Sequence, residues 1–114
     1  MPIDISGQCA LLRIYTEEAR RDGGRALYES VVLKARGAGL AGATVLRGPM
    51  GFGQSARIHN ANILDLSANL PLVIEIVDAE AKLRDFAASI VGMPDIGLVT
   101  LEKVEVLHYG HAGR

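Results

Sequence analysis

Residues 70–77 read Leu-Pro-Leu-Val-Ile-Glu-Ile-Val, and this stretch constrains the fold more than any other. Successive side chains of a strand point to opposite faces, so Leu72, Ile74 and Ile76 fall on one side and Val73, Glu75 and Val77 on the other. Both sides are largely apolar, so both need cover. Only two segments have the period of an amphipathic helix. In the first, Leu27, Tyr28, Val31, Val32 and Ala35 recur at spacings of three and four, and Gly37 and Gly39 end it because glycine accepts the left-handed conformation of a helix carboxyl end. The second starts at Asp78, a residue type that caps a helix by accepting a hydrogen bond from an unpaired backbone N–H. Glu80 follows at the positive end of the helix dipole and can pair with Arg84, Leu83, Phe86, Ala87 and Ile90 form the apolar stripe, and Gly92 and Pro94 terminate it.

The remaining strands are shorter signals. Residues 8–15 place Ala10, Leu12 and Ile14 on one side and Cys9, Leu11, Arg13 and Tyr15 on the other. A polar, Gly-interrupted connection follows over residues 16–24. Residues 43–47 favour a strand that Gly48-Pro49-Met50-Gly51-Phe52-Gly53 breaks or bends, and from there to residue 69 no clear period holds, although Ile63, Leu64 and Leu66 point back to the core. Residues 98–109 form the last strand. Its apolar positions shift phase from Val99 and Leu101 to Val104 and Val106, which predicts a bulge or a change of burial near Glu102 and Lys103.

The resulting order, βαββαβ, predicts an α+β, ferredoxin-like fold: a four-stranded antiparallel sheet with both helices on one face. Cys9, Leu11, Val73 and Val77 then lie on the face without helices, which is too much apolar surface for a soluble monomer to expose. That face is expected to be buried against copies of the same chain.

Composition sets further bounds. A chain of 114 residues is the size of a single domain, here residues 1–114. Twelve Lys and Arg against thirteen Asp and Glu give a net charge of -1, without the basic footprint of a nucleic-acid binder. The longest charge-free run, residues 37–46, is far short of the ~18 apolar residues of a membrane span. Residues 1–10 carry Asp4 and lack the basic-then-apolar pattern of a signal peptide, and the single Cys9 forms no internal disulfide, so a reducing cytoplasm is the expected location.

Few residues point to chemistry by pattern. The glycines from Gly48 to Gly53 are compatible with a phosphate cradle, with Arg47 beside them, or with a plain turn out of a strand; no P-loop Gly-Lys-Ser or Gly-Lys-Thr follows. His59, His108 and His111 are not spaced to share a metal and read as surface or oligomer-rim residues. Glu17 and Glu18 with Arg20, Arg21 and Asp22 read as a solvated connection, and Cys9 as a small buried hydrophobe. No nucleophile or acid–base pair is placed by any motif, so no enzymatic activity is expected.

Several blocks in a fixed order carry a resemblance. They are residues 11–15 with Glu17, Leu27-Tyr28, residues 39–48 (Gly-Leu-Ala-Gly-Ala-Thr-Val-Leu-Arg-Gly) with Gly51-Phe52-Gly53, residues 70–78, and Gly97-Leu98-Val99-Thr100. Together they resemble domain-of-unknown-function family 190, over residues 11–109. That family is PII-like, related to the nitrogen-regulatory PII signalling proteins. The resemblance implies a ferredoxin-like homotrimer that binds an adenine nucleotide in the clefts between subunits. It also implies a long loop, residues 49–69, that touches a target, commonly a membrane transporter or ion channel, fluoride-channel-like proteins included; Phe52, His59 and Asn60 would belong to this partner loop.

Residue by residue, Gly42-Ala43-Thr44-Val45 resembles the PII segment whose threonine lies by the adenine, which makes Thr44 the first nucleotide-binding candidate. Gly51-Phe52-Gly53 resembles the base of the PII loop, with Gly48 just before it; the Arg-Gln that follows in PII is Gln54-Ser55 here, so Gln54 alone substitutes. The PII phosphate loop corresponds to residues 92–97, with Gly92 and Met93 as candidates, and the lysine expected after Gly97 is Leu98. The missing charge favours AMP or ADP over ATP. Arg47 and Lys103 are added as cations by chemistry alone, and Arg114 as a residue able to fold over a neighbour's cleft. Two other readings stay open: a metal- or small-ligand-binding trimer resembling the CutA proteins, and an enzyme whose concrete form would be slow nucleotide hydrolysis.

Overall fold

Side-chain alternation along the long strands organises the sheet. The computed structural model describes residues 5–53, 57–60 and 69–110. Along the chain run β1 (Gly7–Glu17), β2 (Arg21–Asp22), β3 (Arg25–Ala26), α1 (Leu27–Gly37), β4 (Thr44–Arg47), β5 (Met50–Gly51), β6 (His59–Asn60), β7 (Pro71–Asp78), α2 (Glu80–Ile90) and β8 (Val99–Val106). Four strands form one sheet in the order β4-β7-β1-β8, with every neighbouring pair antiparallel. Leu12 and Ile14 of β1 and Ile74 and Ile76 of β7 are buried in one cluster with Leu27 and Val31 of α1 and Leu83 and Ile90 of α2, so both helices cover the same face. Each such side chain contributes roughly 1.5–3 kcal/mol by leaving water. The fold is the ferredoxin-like α+β arrangement that the element order predicts.

Both helix stripes pack as their spacing requires: Leu27, Val31 and Ala35 are buried in α1, and Leu83, Phe86 and Ile90 in α2. The carboxyl end of α1 is closed by Gly39, at φ +75°, whose N–H donates to the Arg36 carbonyl at 3.1 Å, while Gly37 is still helical. Arg84 donates to Glu80 at 2.9 Å.

Three local features sharpen or depart from the sequence-based expectation, the first by deciding between its two alternatives. β8 pairs with β1 without interruption from Val99↔Ile14 to Val106↔Gly7, so the shift near Glu102 and Lys103 is a change of burial and not a bulge. Val99 and Leu101 pack into the helix-side core; further along, Lys103 and Glu105 on that side are exposed, and Val104 turns with Cys9 to the other face. The connection at residues 16–24 carries structure of its own, since β1 continues to Glu17 and β2 pairs with β3 around Gly23, at φ +61°. Ile63, Leu64 and Leu66 lie outside the described residues.

The third difference concerns Asp78. The residue at the cap position of α2 is Ala79, without a side-chain cap. Asp78 is 1% exposed, and its carboxylate accepts the Ala79 N–H at 2.6 Å and the Ala41 N–H at 2.9 Å, while Lys82 Nζ lies 3.6 Å away and donates to the Gly39 carbonyl at 3.1 Å. Asp78 thus fastens the connection leading into β4 to the end of β7. Asp78→Ala leaves both N–H groups without their charged acceptor, and at roughly 1.5 kcal/mol for each such bond it is expected to cost about 3 kcal/mol, read as a lower urea midpoint at an unchanged slope.

Candidate functional site

The sheet face opposite the helices carries a row of charge across its middle. Arg13 of β1 stands opposite Glu75 of β7 and Thr100 of β8, and Glu75 stands opposite Thr44 of β4. The Arg13 guanidinium donates from Nε to Glu75 at 2.9 Å and from Nη1 to Glu102 at 2.5 Å. The bond to Glu75, and then that to Glu102, holds the guanidinium still further toward its charged form. Leu11, Val73, Val77, Val104 and Val106 on this face are only partly covered, and Leu46 is exposed.

A cavity flanks the row toward each end of the strands. The larger, about 630 Å³, lies over Leu11, Val77 and Val104, with the Ala41–Thr44 segment along one side and Leu107, His108 and Tyr109 along another. Two contacts fix that segment: the Ala41 N–H bonds Asp78, and the Tyr109 hydroxyl donates to the Ala41 carbonyl at 2.6 Å. Among the described nucleotide-binding candidates only Thr44 lines this cavity; Glu75, which was not a candidate, lines it too.

The smaller cavity, about 230 Å³, forms where the end of β1 and the start of β7 meet two loops. Tyr15, Thr16 and Glu17 come from β1, Pro71, Leu72 and Val73 from β7, Phe52 and Gly53 from the segment after β5, and Asp95, Gly97 and Leu98 from the turn between α2 and β8. Arg20 completes it, with Nε 3.3 Å from Glu17 and Nη1 3.3 Å from Asp95. Asp95 holds this place at φ 70°, uncommon for a residue other than glycine. A Cβ at Gly97 would stand 2.4 Å from the Tyr15 carbonyl oxygen, so only glycine lets this turn close on β1.

The other sequence candidates are distributed unevenly. Gly53 and the turn before β8, through Asp95, Gly97 and Leu98, line the same cavity. Gly48 and Gly51 do not line either cavity; they pack on Pro71, where an added Cβ would meet its ring at 3.1 and 3.3 Å, and the Gly48 N–H donates to the Pro71 carbonyl at 2.8 Å. Gly92 lines neither cavity, and Met93 packs against the core. Arg47 pairs with Glu18 at 2.6 Å. Lys103 lies opposite Ala10, on the helix side, and lines neither cavity. Phe52 is 72% exposed and Asn60 is exposed; the backbone of His59 pairs with Gly51 in the β5–β6 ribbon, and Gln54 lies outside the described residues. Tyr15, Thr16, Arg20, Asp95 and Leu98 were not sequence candidates. For Asp95 and Leu98 the signal was the resemblance of residues 92–97 to the PII phosphate loop; Tyr15, Thr16 and Arg20 had no comparable signal.

A family model described as "Uncharacterized ACR", DUF190, matches residues 9–106. The chain belongs to DUF190. A UPF0166 protein of Aquifex aeolicus (strain VF5) is 40% identical over 98 residues, 86% of this chain and 92% of the relative. A UPF0166 protein of Methanocaldococcus jannaschii is 34% identical over 74 residues, 65% of this chain and 68% of the relative. Among solved structures, "CPII bound to ADP and bicarbonate" from Thiomonas intermedia K12 matches with a TM-score of 0.64 at 17% identity, over 87% of this chain and 88% of that one. The DUF190 chain therefore has the fold of a PII protein. No helix among the described residues is long and apolar enough to cross a membrane.

Proposed function

We propose that this DUF190 protein is a non-enzymatic, PII-like regulator that binds an adenine nucleotide between copies of a homotrimer and acts on a partner, a membrane transporter or channel, through residues 49–69. The observation that carries the reading is the separation of the two cavities. Along β1, Leu11 lines one and Tyr15 the other, with Arg13, which lines neither, between them; along β7 the linings come within two residues, at Val73 and Glu75. Within one chain they open as two separate cavities. Stacked head to tail around a ring, each copy's Thr44 cavity faces the next copy's Phe52–Gly53 end, a heterologous contact that closes on itself. Three copies are the number in the PII proteins that this chain resembles, and a protein of this fold holds ADP.

In this reading the base lies over Leu11 and Val77 beside Thr44, and the phosphates reach the neighbour's Gly53. Leu98 stands where PII proteins carry a lysine, and Arg20 is already engaged by Glu17 and Asp95, so additional phosphates gain little. AMP or ADP is favoured over ATP. A phosphate at Phe52–Gly53 touches the first part of the partner segment, which couples ligand to partner in both directions.

Calorimetry with AMP, ADP, ATP and cyclic nucleotides tests the proposal. The expected result is one AMP or ADP per chain at micromolar affinity, weakened about tenfold by Thr44→Val. Absence of binding to every nucleotide at millimolar concentration would remove it.

A further inference from the structure

The smaller cavity holds one positive charge, and that charge is restrained. Arg20 is the single cation among the described lining residues. Its Nε lies 3.3 Å from Glu17 and its Nη1 3.3 Å from Asp95, so two carboxylates of the same lining share one guanidinium. They hold it on different terms. Glu17 is 13% exposed and also accepts a hydrogen bond from Asn69 at 2.9 Å, so it belongs to the wall. Asp95 is 46% exposed and comes from the turn that closes the cavity.

The backbone makes Asp95 an unexpected choice. At φ 70° it occupies the left-handed conformation that glycine adopts freely, and that aspartate and asparagine adopt more readily than other residues. A charged side chain kept where glycine is the easier residue signals a use for that side chain. Its use here is the contact with Arg20. A guanidinium binds phosphate through the same N–H groups that it gives to a carboxylate, so Asp95 and a phosphate compete for Arg20. In a cleft closed between copies, salt screens that competition less than on open surface.

We infer that Asp95 sets how many phosphates the site rewards. It acts as a positioning residue: by holding Arg20 it withholds the cation that the outer phosphates of a nucleoside triphosphate need, while the first phosphate is met at the Gly53 backbone. This inference rests on the nucleotide reading above and adds to it the residue that discriminates among phosphate numbers.

Calorimetry of the full chain with AMP and ATP, in wild type and variants, tests it. Asp95→Asn and Asp95→Gly both accept a positive φ, so the turn is kept, and a melting midpoint within a few degrees of wild type verifies this. Either variant is expected to raise ATP affinity about tenfold while leaving AMP affinity within about twofold, because only the outer phosphates gain the released guanidinium. Adding Arg20→Gln to Asp95→Asn should abolish the gain, as the double-mutant cycle requires if Asp95 acts through Arg20. A turn residue with a merely structural role would weaken both nucleotides alike. An unchanged ratio of ATP to AMP affinity in both variants, an equal gain for AMP, or a gain that survives loss of Arg20 would each overturn the assignment while leaving the nucleotide reading in place. A wild-type chain that binds neither nucleotide would remove that reading and this assignment with it.

Discussion

Arg13→Glu is expected to convert the protein from trimers to monomers, observed as a threefold fall in mass by light scattering. Arg13 lies at the middle of the uncovered sheet face, 2.9 Å from Glu75 and 2.5 Å from Glu102. Its side chain is 35% exposed in the isolated chain, and in that setting an ion pair contributes little. A monomer would therefore lose little through the substitution. In the proposed trimer this face is buried between copies, where removing one partner of a desolvated pair is strongly destabilising and the reversed charge adds repulsion toward both glutamates. The effect recurs at every interface of a closed ring. Arg36→Glu, on the exposed surface of α1, should leave the mass unchanged. A wild-type chain that runs as a monomer, or an Arg13→Glu variant that stays assembled, would remove the interface from this face.

The open face also shows how much of the fold was readable from residues alone. Alternation in β1 and β7 assigns each side chain to a face, because a one-residue slip would move Leu12, Ile14, Ile74 and Ile76 out of the core. The helix stripes follow from spacing in the same way. The last strand was less legible: the shift from Leu101 to Val104 has the same appearance whether the backbone bulges or the cover ends, and the uninterrupted pairing with β1 selects the second. Asp78 has the residue type of a helix cap, but its partner Ala41 comes from a connection distant in sequence, and no local pattern announces that bond. The candidate site was legible where it is built from glycines and a loop, at Phe52–Gly53 and residues 95–97. It was not legible at Arg20, whose place in the smaller cavity depends on its contacts with Glu17 and the distant Asp95. Lys103 was chosen for charge, while its strand phase, opposite Ala10, turns it to the helix side.

Gly97→Ala is expected to be the most damaging single methyl in the described structure. The added Cβ would stand 2.4 Å from the Tyr15 carbonyl oxygen and 3.4 Å from its carbon, a collision with backbone that no rotamer relieves. Neither side is free to retreat. The Tyr15 N–H donates to the Leu98 carbonyl at 2.8 Å, and the pairing of β1 with β8 begins at the next residues, Ile14 and Val99. Relief requires either loss of that hydrogen bond or displacement of the turn bearing Asp95, and with it the contact from Arg20. Overpacking at ~1–3 kcal/mol together with a lost hydrogen bond at ~1 kcal/mol predicts destabilisation of about 3 kcal/mol, or a fall of roughly 12 °C or more in melting midpoint. Gly92→Ala, five residues earlier, meets nothing within 4 Å and should lie within about 0.5 kcal/mol of wild type. If the two variants melt alike, the turn yields to the methyl, and the close approach of Gly97 to β1 does not hold the smaller cavity in shape.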